Sequence, residues 1–301
     1  MSSAESKKKT LIVITGPTAS GKTALAIETA LELATEIVSA DSRQVYSGIP
    51  IGTAMPTDDE RARVPHHLID FLQLDEYYSA SRFEEDALRV LWDVWTRSDY
   101  AVVAGGSMMY VDALCNGLDQ LPTIAQSVRD MVWERYVNEG LESMQRWLLR
   151  LDPQYHRQVD LHNYRRVIHA IEICLQAGRP YSELRSGKRT LRPFNIHKIM
   201  IGMERAELFD RINRRVDAMM AAGFEREAAR VYPLRHLNSL NTVGYKEMFA
   251  MFDGRMRRDE AVARMAKNTR VYAKKQLTWA KKVEDLKVLK PGVRVAELLN
   301  L

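Results

Sequence analysis

The chain has 301 residues, with 44 Lys and Arg against 39 Asp and Glu, for a formal net charge of +5. With 46% hydrophobic and 28% charged residues it has a soluble globular balance, and at this length roughly three quarters of the unfolded surface can be buried without disulfides or metals. Two cysteines, no run near the ~18 apolar residues of a membrane span, and a polar start with Lys7-Lys8-Lys9 instead of a signal peptide exclude secreted, membrane, collagenous and disordered classes, and a cytoplasmic protein is expected.

In chain order, Leu11-Ile12-Val13-Ile14 is a short apolar, β-branched run of the kind buried on both faces of a sheet. It ends at Thr15-Gly16, and residues 23–31 predict a helix. Further strands are predicted at residues 36–40, closing on Asp41, and at 100–104, closing on Gly105-Gly106. This alternation predicts a parallel α/β sheet with ligands at the strand carboxyl ends. From Asn116 to Arg192 the texture turns helical, with apolar residues three and four apart over 128–133, 141–149 and 159–175. Residues 186–193 read as a loop back to a strand at 197–203. From there the chain reads as helical to about Asp285. Cys115 and Cys174 both sit in apolar surroundings and read as reduced, buried hydrophobes.

Charge divides along the chain. Residues 1–150 carry 14 Lys and Arg against 22 Asp and Glu, a net of −8; residues 151–301 carry 30 against 17, a net of +13. Solvated helix faces would produce such an excess, and so would a surface that binds a polyanion.

The segment Gly16-Pro17-Thr18-Ala19-Ser20-Gly21-Lys22-Thr23 matches the G-x-x-x-x-G-K-[ST] phosphate loop, with a buried strand before it and a helix after it. Its glycines let the chain curl so that successive amides point at phosphate oxygens, at the positive end of a helix dipole. Lys22 would add a point charge, and the Thr23 hydroxyl would hold a Mg2+ ion bridging the phosphates. The loop identifies a polyphosphate without saying which. Asp41-Ser42-Arg43-Gln44-Val45-Tyr46 begins where the second strand ends, so Asp41 points into the mouth of that site. It would serve a metal or a substrate hydroxyl, or simply cap a helix.

With the flanking residues the pattern becomes specific. The chain resembles the tRNA dimethylallyltransferases (tRNA isopentenyltransferases) of bacterial type, which lack the zinc finger of eukaryotic relatives. Besides the two motifs above, the matching segments are Ile51-Gly52-Thr53-Ala54, Val64-Pro65-His66-His67-Leu68-Ile69-Asp70, Ala104-Gly105-Gly106-Ser107-Met108-Met109-Tyr110, Asn163-Tyr164-Arg165-Arg166-Val167, Arg211-Ile212-Asn213-Arg214-Arg215-Val216-Asp217 and Thr242-Val243-Gly244-Tyr245-Lys246. The resemblance implies a P-loop NTPase-like α/β core, mainly parallel, over residues 1–115. A helical insertion contacting tRNA would follow over 116–192, with core completion and basic C-terminal helices over 193–301.

It further implies transfer of the dimethylallyl group from dimethylallyl diphosphate to the exocyclic amine of the adenosine 3′ of the tRNA anticodon, with Mg2+ as cofactor. Asp41 would act as general base, and Lys22, Thr23 and Arg215 would stabilise the leaving diphosphate. Contacts to the anticodon stem-loop would come from Asp41, Ser42, Arg43 and Gln44, from Ser107 and Arg129, from Arg165, Arg166, Val167, Ile168 and His169, and from Asn241, Thr242, Val243, Gly244, Tyr245 and Lys246. A monomer without membrane contact is expected.

Three positions depart from the family pattern. Met55 stands where a lysine usually follows Gly-Thr-Ala, Ser107 replaces a threonine after Gly105-Gly106, and His169 replaces an arginine. The serine keeps the hydroxyl, whereas Met55 and His169 remove fixed positive charge. His66-His67 reads as structural because adjacent side chains point apart. Met219-Met220 and Trp92, Trp95, Trp133 and Trp147 read as core at helical spacing. Lys274-Lys275 and Lys281-Lys282 lie on a helix face that is either solvated or meets phosphate. The rival readings are a P-loop kinase of a nucleoside or another small substrate, an adenylate isopentenyltransferase, and a nucleotide-switched RNA-binding protein.

Overall fold

The apolar run after Lys9 forms a central strand. In the computed structural model, which describes residues 8–119, 121–185, 187, 189–289 and 294–299, β1 (Thr10–Thr15) is buried at every position. Alternation sends Leu11 and Val13 into one core, and Ile12 and Ile14 into a second core on the opposite face. Each such side chain contributes roughly 1.5–3 kcal/mol by leaving water. Then come α1 (Lys22–Glu32), β2 (Ile37–Ser39), α2 (Pro50–Thr53), α3 (Asp58–Arg63), β3 (His66–His67), α4 (Ala80–Val94), β4 (Tyr100–Ala104) and α5 (Met108–Asn116).

Residues Gly117–Thr190 form a separate compact unit. It contains α6 (Gln126–Leu151), α7 (Pro153–His156), α8 (Tyr164–Ala177) and α9 (Tyr181–Leu184). The chain returns to the first unit through β5 (Asn195–Ile201), α10 (Arg205–Ala221), α11 (Phe224–Val231), α12 (Tyr245–Phe252), α13 (Arg258–Ala280), β6 (Leu286–Leu289) and α14 (Val295–Leu299). The sheet order is β3-β2-β4-β1-β5-β6, with every pair parallel. Ala104 faces Ile14 on one side and Ser39 on the other, so β1, β4 and β2 end at one level. Val45, Ile49 and residues of α4, α5, α11, α12 and α13 share one core with Leu11 and Val13, and among the described residues no helix is long and apolar enough to cross a membrane.

Several expectations are corrected. Residues 66–67 and 286–289 are strands, which short, half-exposed sheet edges do not advertise as apolar runs. The helical stretch after Met203 ends at Ala280. Trp92 and Trp133 are about half exposed, at 49% and 50%, so they are not core residues, whereas Trp95 is buried. Residues 1–7, and Ser186 and Lys188 of the predicted loop, lie outside the described residues.

In the helical unit, α6 is interrupted at Gly140 and packs against α8 around Val132, Met144, Leu148, Val167 and Ile171. Asp152 is fully buried at the turn into α7, where it accepts hydrogen bonds from the Tyr155 N–H (2.8 Å), the Ser182 N–H (2.6 Å) and the Ser182 hydroxyl (2.8 Å). A buried carboxylate is tolerated when donors surround it. Removing it strands those donors. Asp152→Ala is therefore expected to cost about 3 kcal/mol, and Asp152→Asn less, as shifts of the urea midpoint. Unchanged midpoints would show that the turn relaxes without it.

Candidate active site

The loop after β1 curls because Gly21 takes φ 92° just before α1 begins at Lys22, a left-handed conformation that costs glycine little. Ala19 is also left-handed, at φ 66°, a strained choice of the kind that clusters at binding loops. Ser20 is buried and its Oγ has no hydrogen-bond partner among the described residues, so the loop holds a polar atom that a ligand oxygen would satisfy. Lys22 Nζ donates to the Pro17 carbonyl at 2.8 Å. Burial, reinforced by the nearby Arg215 charge and opposed by Asp41, pushes the Lys22 ammonium down to about 8.

Arg215 reaches the same place from α10. Burial lowers its pKa and the Asp41 carboxylate acts against that. Its neighbour Arg214 instead lies on the exposed face, paired with Asp210 one turn away. The register of α10 thus sends Arg215, and not Arg214, towards the loop. Lys22, Arg215 and Asp41 share one electrostatic neighbourhood.

Asp41 follows β2, where the Ala40 N–H donates to the Ala104 carbonyl at 2.8 Å. Its Oδ1 accepts from the N–H groups of Arg43 (2.9 Å) and Gln44 (3.4 Å), a local turn that fixes the carboxylate. Ser107 Oγ accepts from the Ser42 N–H at 2.7 Å, so the serine's hydroxyl ties the turn after β2 to the turn after β4. Gln44 Nε2 donates to the carbonyls of Thr53 and Ala54, and Arg43 to those of Asn238 and Ser239.

Sequence reasoning missed the residues that brace these turns. Gln276 of α13 accepts from the Thr18 N–H at 2.9 Å and donates to the Gly106 carbonyl at 2.9 Å. Glu227 accepts from the N–H groups of Ile51 (2.9 Å) and Gly52 (2.7 Å) and from the Tyr245 hydroxyl (2.6 Å). Glu247 accepts from the Gly244 N–H and from Asn268 Nδ2, both at 2.6 Å. A signal existed: Glu227 falls on the buried stripe Phe224, Glu227, Ala228, Val231, where an apolar residue belongs.

The residues expected to meet tRNA divide by burial. Tyr245 is fully buried, and Val167 and Ile168 belong to the core of the helical unit, so these side chains are turned away from solvent. Gly244 is buried too, whereas Asn241, Thr242 and Val243 are half-buried and Lys246 is exposed. On α8, Arg165, Arg166 and His169 are exposed, with His169 Nδ1 3.8 Å from Glu172. Arg129 is half-buried on α6. These last residues belong to the helical unit, the others to the unit that holds Asp41.

A family model described as IPP transferase matches residues 44–283. The chain is 49% identical over 277 residues to tRNA dimethylallyltransferase 1 of Phocaeicola vulgatus, covering 92% of each chain. It is 48% identical over 294 residues to tRNA dimethylallyltransferase 1 of Bacteroides thetaiotaomicron, covering 97% of this chain and 96% of that one. Among solved structures, the full-length tRNA isopentenylpyrophosphate transferase of Bacillus halodurans is 34% identical, with a TM-score of 0.70 over 94% of this chain and 90% of that one.

The depressed Lys22 pKa makes anion binding depend on pH. Below about 8 the lysine is already charged; above it, an arriving anion must recruit a proton. Inorganic diphosphate affinity, taken relative to Lys22→Met at each pH, is expected to fall by up to about tenfold per unit as pH rises from 8 to 10. Calorimetric titration checks this, and a ratio that stays constant with pH contradicts it.

Proposed function

Because the chain belongs to the IPP transferase family, we propose that it transfers the dimethylallyl group of dimethylallyl diphosphate to the exocyclic amine of the adenosine 3′ of the anticodon in tRNA. The observation that carries this reading is the grouping of a fixed carboxylate, Asp41, with two buried cations, Lys22 and Arg215, at a phosphate loop. The adenine amine is a poor nucleophile because its lone pair is delocalised into the ring. As its nitrogen bonds to the allylic carbon, that carbon's bond to the diphosphate oxygen breaks and the amine sheds a proton. Asp41 takes that proton. Among the described residues its hydrogen bonds fall on Oδ1, and Oδ2 is the oxygen we assign to the purpose. Lys22, Arg215 and the loop amides meet the charge that grows on the departing diphosphate.

The donor set suits magnesium. Among the described residues no cluster of three acidic, histidine or cysteine side chains is built to cage a metal. Magnesium typically keeps waters and phosphate oxygens around few protein ligands, and Thr23 at the start of α1 would supply its hydroxyl. Bound there, the ion would neutralise diphosphate charge.

The target base must leave the anticodon-loop stack to reach Asp41, at a cost of a few kcal/mol. Arg165, Arg166 and His169 on the exposed face of α8 are the residues we assign to the anticodon stem. If the basic half holds tRNA through phosphates, log affinity is expected to fall linearly with log salt, each contact adding up to ~0.7–0.9 to the slope. A flat response would make the basic surface merely solvated.

Incubation with labelled dimethylallyl diphosphate plus either tRNA or AMP tests the function: label is expected on tRNA. Label on AMP, or phosphorylation of a small substrate from ATP, overturns it. Asp41→Asn is expected to lower turnover by ~10²–10⁴ with tRNA affinity little changed. Arg215→Ala is expected to slow the chemical step by on the order of 10²-fold, with Arg214→Ala close to wild type. Near-normal turnover of Asp41→Asn, or a severe Arg214→Ala beside a silent Arg215→Ala, would overturn the assignments.

A further inference from the structure

Gln276 is buried, at 2% exposure, on a helix far along the chain from the phosphate loop. Both ends of its amide are used: Oε1 accepts from the Thr18 N–H at 2.9 Å, and Nε2 donates to the Gly106 carbonyl at 2.9 Å. Gly106 has no side chain where one would collide, since a Cβ there would lie 2.4 Å from Gln276 Nε2. One turn earlier on the same helix, the Tyr272 hydroxyl donates to the same carbonyl at 3.4 Å. The next residue, Ser107, accepts from the Ser42 N–H at 2.7 Å, beside Asp41. A single amide thus stands between the loop that would grip diphosphate and the turn that carries the carboxylate.

Only a side chain that accepts at one end and donates at the other satisfies both backbone groups, and a neutral one does so without adding charge beside Lys22 and Arg215. Buried polar bridges of this kind fix geometry, because leaving either backbone group unpaired is costly. We propose that Gln276 is a positioning residue that holds the phosphate loop and the Asp41 turn in register, so that diphosphate departure and proton removal align across one reacting carbon. The catalytic part of this inference rests on the function proposed above; the register itself does not.

Glutamate at this position distinguishes positioning from bulk packing. Burial makes a carboxyl here resist ionisation and Asp41 adds to that resistance, while Lys22, on the carbonyl of the same Pro17–Thr18 peptide, and Arg43 act against it. Protonated, it accepts and donates as the amide does; ionised, it loses the donor and sets an anion against the Gly106 carbonyl. For Gln276→Glu, turnover relative to wild type is expected within about threefold near pH 6 and reduced at least about tenfold near pH 8.5. Gln276→Leu is expected to be slow at both pH values, chiefly in kcat. In the free protein, Gln276→Leu is also expected to speed hydrogen exchange of the Thr18 amide by about tenfold or more, and Gln276→Glu near pH 6 to leave it unchanged.

A Gln276→Glu to wild-type ratio that does not vary with pH overturns the positioning role, and so does wild-type kcat in Gln276→Leu. If Gln276→Leu fails to fold, the pH series on Gln276→Glu decides alone. If the wild-type protein transfers no dimethylallyl group, the proposed function fails, and Thr18 exchange in Gln276→Glu at the two pH values decides the register: faster exchange only at the higher pH upholds it, and equal exchange overturns it.

Discussion

The site depends on three parallel strands ending at one level. Ala104 lies opposite Ile14 on one side and Ser39 on the other, so the phosphate loop, the Asp41 turn and the Gly105-Gly106-Ser107 turn all leave the sheet together. Strand side chains alternate faces, so a one-residue slip of β2, which is buried at every position, would send each of its side chains into the opposite core and move Asp41 from its place beside the loop. Burial on both faces makes such a slip costly: Leu11 and Val13 serve one core while Ile12 and Ile14 serve the other. Precision at the site is inherited from the packing of residues that never touch a ligand.

Charge completes what register begins. Two cations are buried near one carboxylate, an excess of buried positive charge that is costly in itself and that an anion relieves. The two cations differ in kind. Arginine remains protonated even when its pKa is lowered, so Arg215 is a constant charge. Lys22, pushed to about 8, is adjustable, and it donates to the Pro17 carbonyl of its own loop. The site therefore keeps one cation in place and lets the other answer to the ligand.

The parallel sheet was legible where strands are buried on both faces, because Leu11-Ile12-Val13-Ile14 and the run at 100–104 have no reason to be so apolar otherwise. The edges were not. His66-His67 pairs with β2, and residues 286–289 with β5, yet each edge leaves one side to solvent and needs no apolar run. The phosphate loop and Asp41 were legible as local motifs, and Arg215 through resemblance alone, since spacing does not separate it from Arg214. Gln276 and Glu227 were not read because each acts across the fold on backbone groups far away in sequence, and Glu247 because it ties the Gly244 N–H, three residues before it, to the Asn268 side chain of α13. Trp92 and Trp133 failed in the opposite way: periodicity assigned them to the core, and the helices turn them half outward.

The burial of Tyr245, Val167 and Ile168 shows what a sequence motif mixes together. In Thr242-Val243-Gly244-Tyr245-Lys246, Lys246 is exposed whereas the Tyr245 hydroxyl goes to Glu227, whose carboxylate also holds the N–H groups of Ile51 and Gly52. Two motifs separated by nearly two hundred residues are thereby fastened to one carboxylate. The second of them, through the carbonyls of Thr53 and Ala54, holds the Gln44 side chain of the Asp41 turn. In α8 the same division holds, with Arg165 and Arg166 outward and Val167 and Ile168 packed inward. A recurring motif is thus a surface plus its own support, and periodicity within the motif tells the two apart.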